Sequence, residues 1–257
     1  MTFFEHLGEL RKRIIWVLIV FSVVTIAGMA FADPVIRYLQ KAAPIPDLQW
    51  NVFSPWDAVR IYMQFAFAIG IVVTLPFTLY QLWAFIKPGL RKVEQQATLR
   101  YIPAGILLFV IGFCFAYFVV FPMAMYFTRV MSTKLGLRET YGITQYFSFM
   151  FNIIFPISLL FEMPIIVMFL TRLRLLNPKR LGRLRRYAYL ILLIVGAIIT
   201  PPDLVSAVLV TIPLILLYEF SVWLSRIIYR KQLAEDLARE RETDADEDAE
   251  PDAETDA

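Results

Sequence analysis

Charge is what this sequence of 257 residues lacks: only 18% of its residues are Asp, Glu, Lys or Arg, against 59% apolar and 15% aromatic. That is too little charge to cover a water-soluble globule of this size. Cysteine and histidine are reduced to one each, Cys114 and His6, which excludes a disulfide framework and any metal site built from those two residue types. No HExxH, CxxC, GxSxG or glycine-rich phosphate loop occurs, so metal, nucleotide and hydrolytic chemistry are not expected, and neither a cofactor nor a nucleic-acid partner is foreseen.

What is present is a series of long apolar runs. Residues 14–32, 61–86, 101–128 and 187–202 contain no charged side chain, residues 140–171 contain only Glu162, and residues 204–225 contain only Glu219. About 20 apolar residues cross a hydrocarbon core of roughly 30 Å as a helix. The runs do not alternate residue by residue, as a closed barrel requires. The expected class is therefore an all-α membrane protein of six transmembrane helices, at about 14–32, 58–86, 101–128, 145–171, 187–200 and 204–225. The fifth window is too short for a full core at 1.5 Å per residue, so the last pair is expected either to cross a thinned bilayer or to form a re-entrant hairpin. Pro76, Pro103, Pro122, Pro156, Pro164 and Pro213 lie within or at the rims of spans and remove backbone donors, which predicts bent helices and a curved body.

Lys and Arg are distributed unevenly between the spans: 19 of 25 fall in the N-terminus, in segments 87–100 and 172–186, and after residue 225. Positively charged segments stay on the cytoplasmic side, so both chain ends and both basic loops are assigned there. Arg11-Lys12-Arg13 ahead of the first apolar run resembles the start of a cleaved signal, but the run is too long and is followed by Asp33-Pro34, so the first helix is expected to remain. Trp50, Phe53 and Trp56 fit an aromatic belt at the opposite interface. Residues 233–257 carry twelve Asp or Glu and read as a disordered acidic tail, separate from a six-span domain over residues 1–232. Without that tail the chain is strongly basic.

Three places carry residues that a membrane protein does not use for packing. Glu9 can pair with Lys12 or Arg13 along its own helix, at spacings of three and four. The stretch Pro76 to Glu94 ends a span in Gln81, Trp83 and Phe85, then a helix stop at Lys87-Pro88-Gly89, then Glu94 among basic residues, and reads as half of a docking surface for another polypeptide. Glu162 lies well inside a span, where an acid costs about 3 kcal/mol or more. It needs water or a partner such as Gln64 or Asn152, and Pro156 and Pro164 bracket it. A secondary transporter of small solutes would also use kinked spans and a midplane acid. Against that alternative, no inverted repeat is visible.

Five motifs occur in order: His6-Leu7-Gly8-Glu9-Leu10-Arg11-Lys12-Arg13; Tyr80-Gln81-Leu82-Trp83-Ala84-Phe85-Ile86-Lys87-Pro88-Gly89-Leu90 followed by Glu94; Ala116-Tyr117-Phe118-Val119-Val120-Phe121-Pro122; Phe161-Glu162-Met163-Pro164; and Thr200-Pro201-Pro202-Asp203. Over about residues 3–231 the chain resembles the TatC family, the multispanning receptor subunit of the twin-arginine protein translocase. The resemblance implies a glove-shaped body of six helices with a concave face, and a non-enzymatic receptor for paired-arginine signal peptides of folded proteins, exported at the expense of the proton gradient across the bacterial inner membrane. It implies partnership with small single-span TatA-type and TatB-type subunits, membrane lipid, and further copies of the chain. Glu9 and Glu94 match the acids of the recognition site and Phe85 its loop aromatic, with Arg11 and Gln81 grouped beside them. Glu162, Asp203, Pro44 and Tyr117 are assigned to the concave face or to partner contacts. One departure is Gln95-Gln96 after Glu94, where family members often carry basic residues.

Overall fold

The structure, a computed structural model, describes residues 3–42, 50–89, 95, 99, 101–137, 140–200 and 204–248. Three candidate residues of the sequence, Pro44, Glu94 and Asp203, lie outside them. Nine α-helices are described: α1 Phe3–Lys41, α2 Asp57–Ile86, α3 Tyr101–Phe115, α4 Phe121–Lys134, α5 Ile143–Leu160, α6 Met163–Arg172, α7 Pro178–Arg183, α8 Arg185–Ile199 and α9 Leu204–Asp248. A π turn, Ala116–Val120, joins α3 to α4 in one continuous rod. Among the described residues there is no strand, only an isolated bridge between Asn51 and Gly142.

Among the described residues, five helical segments are long and apolar enough to cross a membrane: Gly8–Lys41, Asp57–Ile86, Tyr101–Lys134, Ile143–Arg172 and Ala207–Ala238. The short sixth crosser is α8, whose 15 residues reach about 22 Å at 1.5 Å each. Their outer surface is apolar, with Ile26 70%, Phe118 70% and Ile198 76% exposed. A surface of that kind belongs in lipid, where apolar side chains need no cover. The chain is a multi-pass membrane protein.

The first helix is longer than the sequence predicts. It runs unbroken through Asp33-Pro34 to Lys41, past the end of the first expected span at residue 32. Asp33 accepts hydrogen bonds from Arg37 Nε at 2.8 Å and from Tyr62 Oη at 3.0 Å, which ties this turn to its own helix and to α2. Trp50 also departs from expectation: it stacks on Phe147 at 5.6 Å and meets Tyr146 edge-on, inside an aromatic core with Phe65 and Phe121, while Trp56 faces outward.

Proline explains the two irregular places. Pro122 has no N–H to give to residue 118, and just before it the helix widens to i→i+5 bonding, with the Phe121 N–H reaching the Ala116 carbonyl. Pro164 likewise cannot bond Leu160, and the rod splits there into α5 and α6, leaving Glu162 in the break. Gly105, Phe109 and Gly112 form a buried stripe on α3 against that break. A Cβ on Gly112 would stand 2.7 Å from Phe161 Cβ, backbone-anchored on both sides. Gly112→Val is therefore expected to lower the stability of the purified chain by about 1–3 kcal/mol through overpacking; unchanged thermal unfolding in detergent would show that α3 does not rest on the break.

The last described helix runs past the boundary expected at residue 232. The tail expected to be disordered from residue 233 continues as helix to Asp248. Its residues 234–241 are mostly strong helix formers. Gln232 Nε2 donates to the Arg172 carbonyl at 2.9 Å, and Arg174 clasps both oxygens of Asp236 at 2.8 and 2.7 Å. Shortness of the last two spans is thus a property of α8 and of the apolar part of α9, whose helix as a whole has 45 residues. The lone acid of that apolar part, Glu219, is satisfied by Arg185 at 2.7 Å and Tyr189 Oη at 2.5 Å, both from α8.

Candidate functional site

The start of α1 and the end of α2 lie side by side at one end of the bundle, and the first two motifs of the sequence meet there. Of the two helical partners open to Glu9, Arg13 is the one used: its Nη2 is in contact with Glu9 Oε1. Arg13 Nη1 also donates to Gln81 Oε1 on α2 at 3.2 Å, so one guanidinium links the acid of the first motif to the second. Gln81 and Phe85, one turn apart, line a groove of about 190 Å³ against Leu10, Arg13 and Ile14. The Glu9 and Arg13 side chains keep 25% and 22% of their surface exposed, so the pair is reachable from water. Arg11 is exposed and makes no ion pair among the described residues.

The helix stop works as the sequence suggests. α2 ends at Ile86, Lys87–Gly89 form a 3₁₀ turn, and Lys87 Nζ sits 5.3 Å over the Trp83 ring. Further along the chain, Gln95 meets this turn: Trp83 Nε1 donates to the Gln95 carbonyl at 3.3 Å, and Gln95 Nε2 donates to the Lys87 carbonyl at 3.2 Å. Gln95 is therefore pinned to the end of α2, although its neighbour Glu94 is outside the described residues. Sequence reasoning missed this role for Gln95. Its only signal was the place where this chain departs from the usual basic loop.

Glu162 is buried, at 5% exposure, and neither carboxyl oxygen has a hydrogen-bond partner among the described residues. A Cβ on Gly105 would approach Oε2 to 3.2 Å, so the carboxyl packs closely against the α3 backbone there. The expected partner Gln64 is engaged elsewhere, donating to Ser148 Oγ at 2.7 Å. Gln64, Ser148, Asn152 and Arg60 line a groove of about 1060 Å³ between α2, α5 and the end of α8. Tyr117 lines a second cleft of about 460 Å³ with Tyr38, Phe65 and Phe151. Glu162 lines neither, so Glu162 and Tyr117 occupy different places in the bundle.

A family model described as TatC, Sec-independent protein translocase protein, matches residues 5–213. The chain belongs to the TatC family. Among its relatives, the Sec-independent protein translocase protein TatC of Halalkalibacterium halodurans is 45% identical over 241 residues, covering 93% of this chain and 95% of that protein. TatCy of Bacillus subtilis is 47% identical over 231 residues, covering 90% and 91%. A crystal structure of the twin-arginine translocase receptor TatC superposes with a TM-score of 0.74 at 35% identity, covering 87% of this chain and 99% of that one. As a TatC-family member the chain is a component of Sec-independent protein transport, and the Glu9–Arg13–Gln81 link joins two of the motifs by which the family is recognised.

Proposed function

We propose that this chain is the receptor subunit of a twin-arginine translocase in the bacterial inner membrane, with both ends in the cytoplasm, and that Glu9 and Glu94 read the paired arginines of signal peptides. The observation that carries this reading is that Glu9 already holds a guanidinium, that of Arg13. Arg13 contacts one carboxylate oxygen, and a carboxylate has several further acceptor sites for an incoming arginine. Phe85 and Gln81 supply an apolar wall and an amide beside it. Gln95, the residue that follows Glu94 in the chain, is anchored to the end of α2.

The energetics require more than two ion pairs. Hydrogen bonds to charged groups contribute about 1.5–3 kcal/mol each, so two contacts give roughly 3–6 kcal/mol. Micromolar binding needs about 8 kcal/mol. The difference would come from burial of the peptide's apolar segment along the concave side of the bundle, where the large groove offers mostly apolar wall. Recognition is followed by recruitment of TatA-type and TatB-type subunits and of further copies, because a folded cargo is wider than a bundle of six helices. The proton gradient drives the passage, and this subunit binds and positions without covalent chemistry.

Paired arginines matter on this reading because the planar fork suits a carboxylate better than a lysine ammonium does. With the full chain in nanodiscs, a signal peptide whose two arginines are replaced by lysines is expected to bind about tenfold or more weakly than the parent. Equal affinity for both peptides would remove arginine recognition from this chain. Solute uptake by the chain alone in liposomes would favour the small-solute transporter instead.

A further inference from the structure

Five cations that the site above does not use converge on one concavity. Lys179 and Arg183 of α7, Arg185 at the start of α8, and Arg226 and Arg230 of α9 line a space of about 690 Å³, with Tyr229 in its wall. Among the described residues no acidic side chain lines it. Arg185 is satisfied by Glu219. Lys179, Arg183, Arg226 and Arg230 have no ion pair among the described residues, although the same helix continues into the most acidic stretch of the chain. The nearby acid Asp236 is taken by Arg174, outside the concavity. Four like charges gathered without counter-charge repel one another, and an anion in their midst relieves that repulsion.

Depth decides which anion. Arg185 opens a helix that enters the membrane, and Arg226 directly follows the apolar run of α9, so the concavity lies at the polar boundary of the bilayer. Trp223, Arg226 and Arg230 stand at spacings of three and four on one face of α9, and Trp223 is exposed one turn toward the membrane from Arg226. Leu184 and Ile227, also exposed, flank the cations in the chain. Cations at the boundary with exposed apolar side chains on the membrane side match a molecule that is phosphate at one end and hydrocarbon at the other. A lipid headgroup reaches the cations from the same bilayer that those apolar side chains already face.

We propose that this concavity binds the phosphodiester headgroup of an anionic phospholipid, in the leaflet on the side of the chain's two ends. The site needs the membrane fold alone and does not rest on the peptide-reading role. A lipid held there buttresses α7 against α9, next to the place where Gln232 and Asp236 fasten the long helix to the preceding loop.

Native mass spectrometry of the full chain in detergent, titrated separately with phosphatidylglycerol, cardiolipin and phosphatidylcholine, tests the proposal. The anionic lipids are expected to remain bound where phosphatidylcholine does not. Each cation near an anionic lipid surface is worth about fivefold in affinity, so Arg226→Gln with Arg230→Gln should weaken anionic lipid by about 30-fold. Arg226→Lys with Arg230→Lys, which keeps the charge, should retain most of it, and Lys41→Gln with Lys134→Gln, outside the concavity, should change nothing. Equal retention of phosphatidylcholine by the unsubstituted chain would overturn the proposal, and that arm does not depend on any variant folding. So would an unchanged preference in the double Gln variant, displacement of the lipid by millimolar inorganic phosphate alone, or its displacement by a synthetic peptide of residues 235–257, which would give the site to the acidic tail.

Discussion

Glu94→Lys is expected to reduce the affinity of a twin-arginine signal peptide by about 100-fold, since it removes one charge-assisted contact of about 1.5–3 kcal/mol and sets a cation against the arginine it served. Membrane insertion and thermal stability of the chain should not change. Glu94 is the cleaner of the two acids to test, for a reason visible at Glu9. The Glu9 carboxylate is the ion partner of Arg13, whose Nε has no hydrogen-bond partner among the described residues. Removing Glu9 therefore leaves a half-buried guanidinium without its counter-charge as well as deleting a binding group, and a loss of affinity would be mixed with a loss of local order. Isothermal titration with the full chain in nanodiscs gives the affinity directly, and thermal unfolding of the same samples checks that the fold is intact. Unchanged affinity in Glu94→Lys would exclude Glu94 from the peptide site. A loss that Glu94→Gln shares only in part would separate the missing contact from the added repulsion.

The spans could be read from the sequence because uncharged stretches in this chain have one physical use, and the helices fall over those windows. Boundaries set by distant contacts could not. Nothing near Pro34 announces that Tyr62, 29 residues after Asp33, will help hold that turn. Acidic composition argues for disorder from residue 233 only if each residue is considered alone; the clasp of Arg174 on Asp236 joins residues 62 apart. At the candidate site the acids and the aromatic were legible as residue types out of place at the end of a span. Their geometry was not. That Arg13 would choose Glu9 over a free existence, and would also reach Gln81 on the next helix, depends on how α1 and α2 lie against each other, which periodicity leaves open. Gln95 was legible only as an oddity, because an amide that closes a loop through backbone carbonyls looks in sequence like any polar loop residue.

Glu162→Met is expected to make the purified chain more stable, by about 1–3 kcal/mol, while abolishing cargo transport in the reconstituted translocase. The argument begins with the two oxygens that lack partners. A buried acid without a donor destabilises the fold that holds it, and Met fills a similar length with flexible apolar atoms in the narrow space beside Gly105. The surrounding chain accommodates the acid: Pro164 breaks the helix beside that residue, and Gly105 stands next to it on the facing helix. An expense of this kind, kept at a break in a membrane-spanning rod, is explained if a later state of transport supplies the missing donor. Denaturant unfolding in detergent measures the first half and export of a folded reporter the second. Greater stability with normal export would leave Glu162 a packing residue that the fold tolerates. Lower stability would mean that the carboxyl is satisfied by a group beyond the described residues, and the transport role would lose its physical motive.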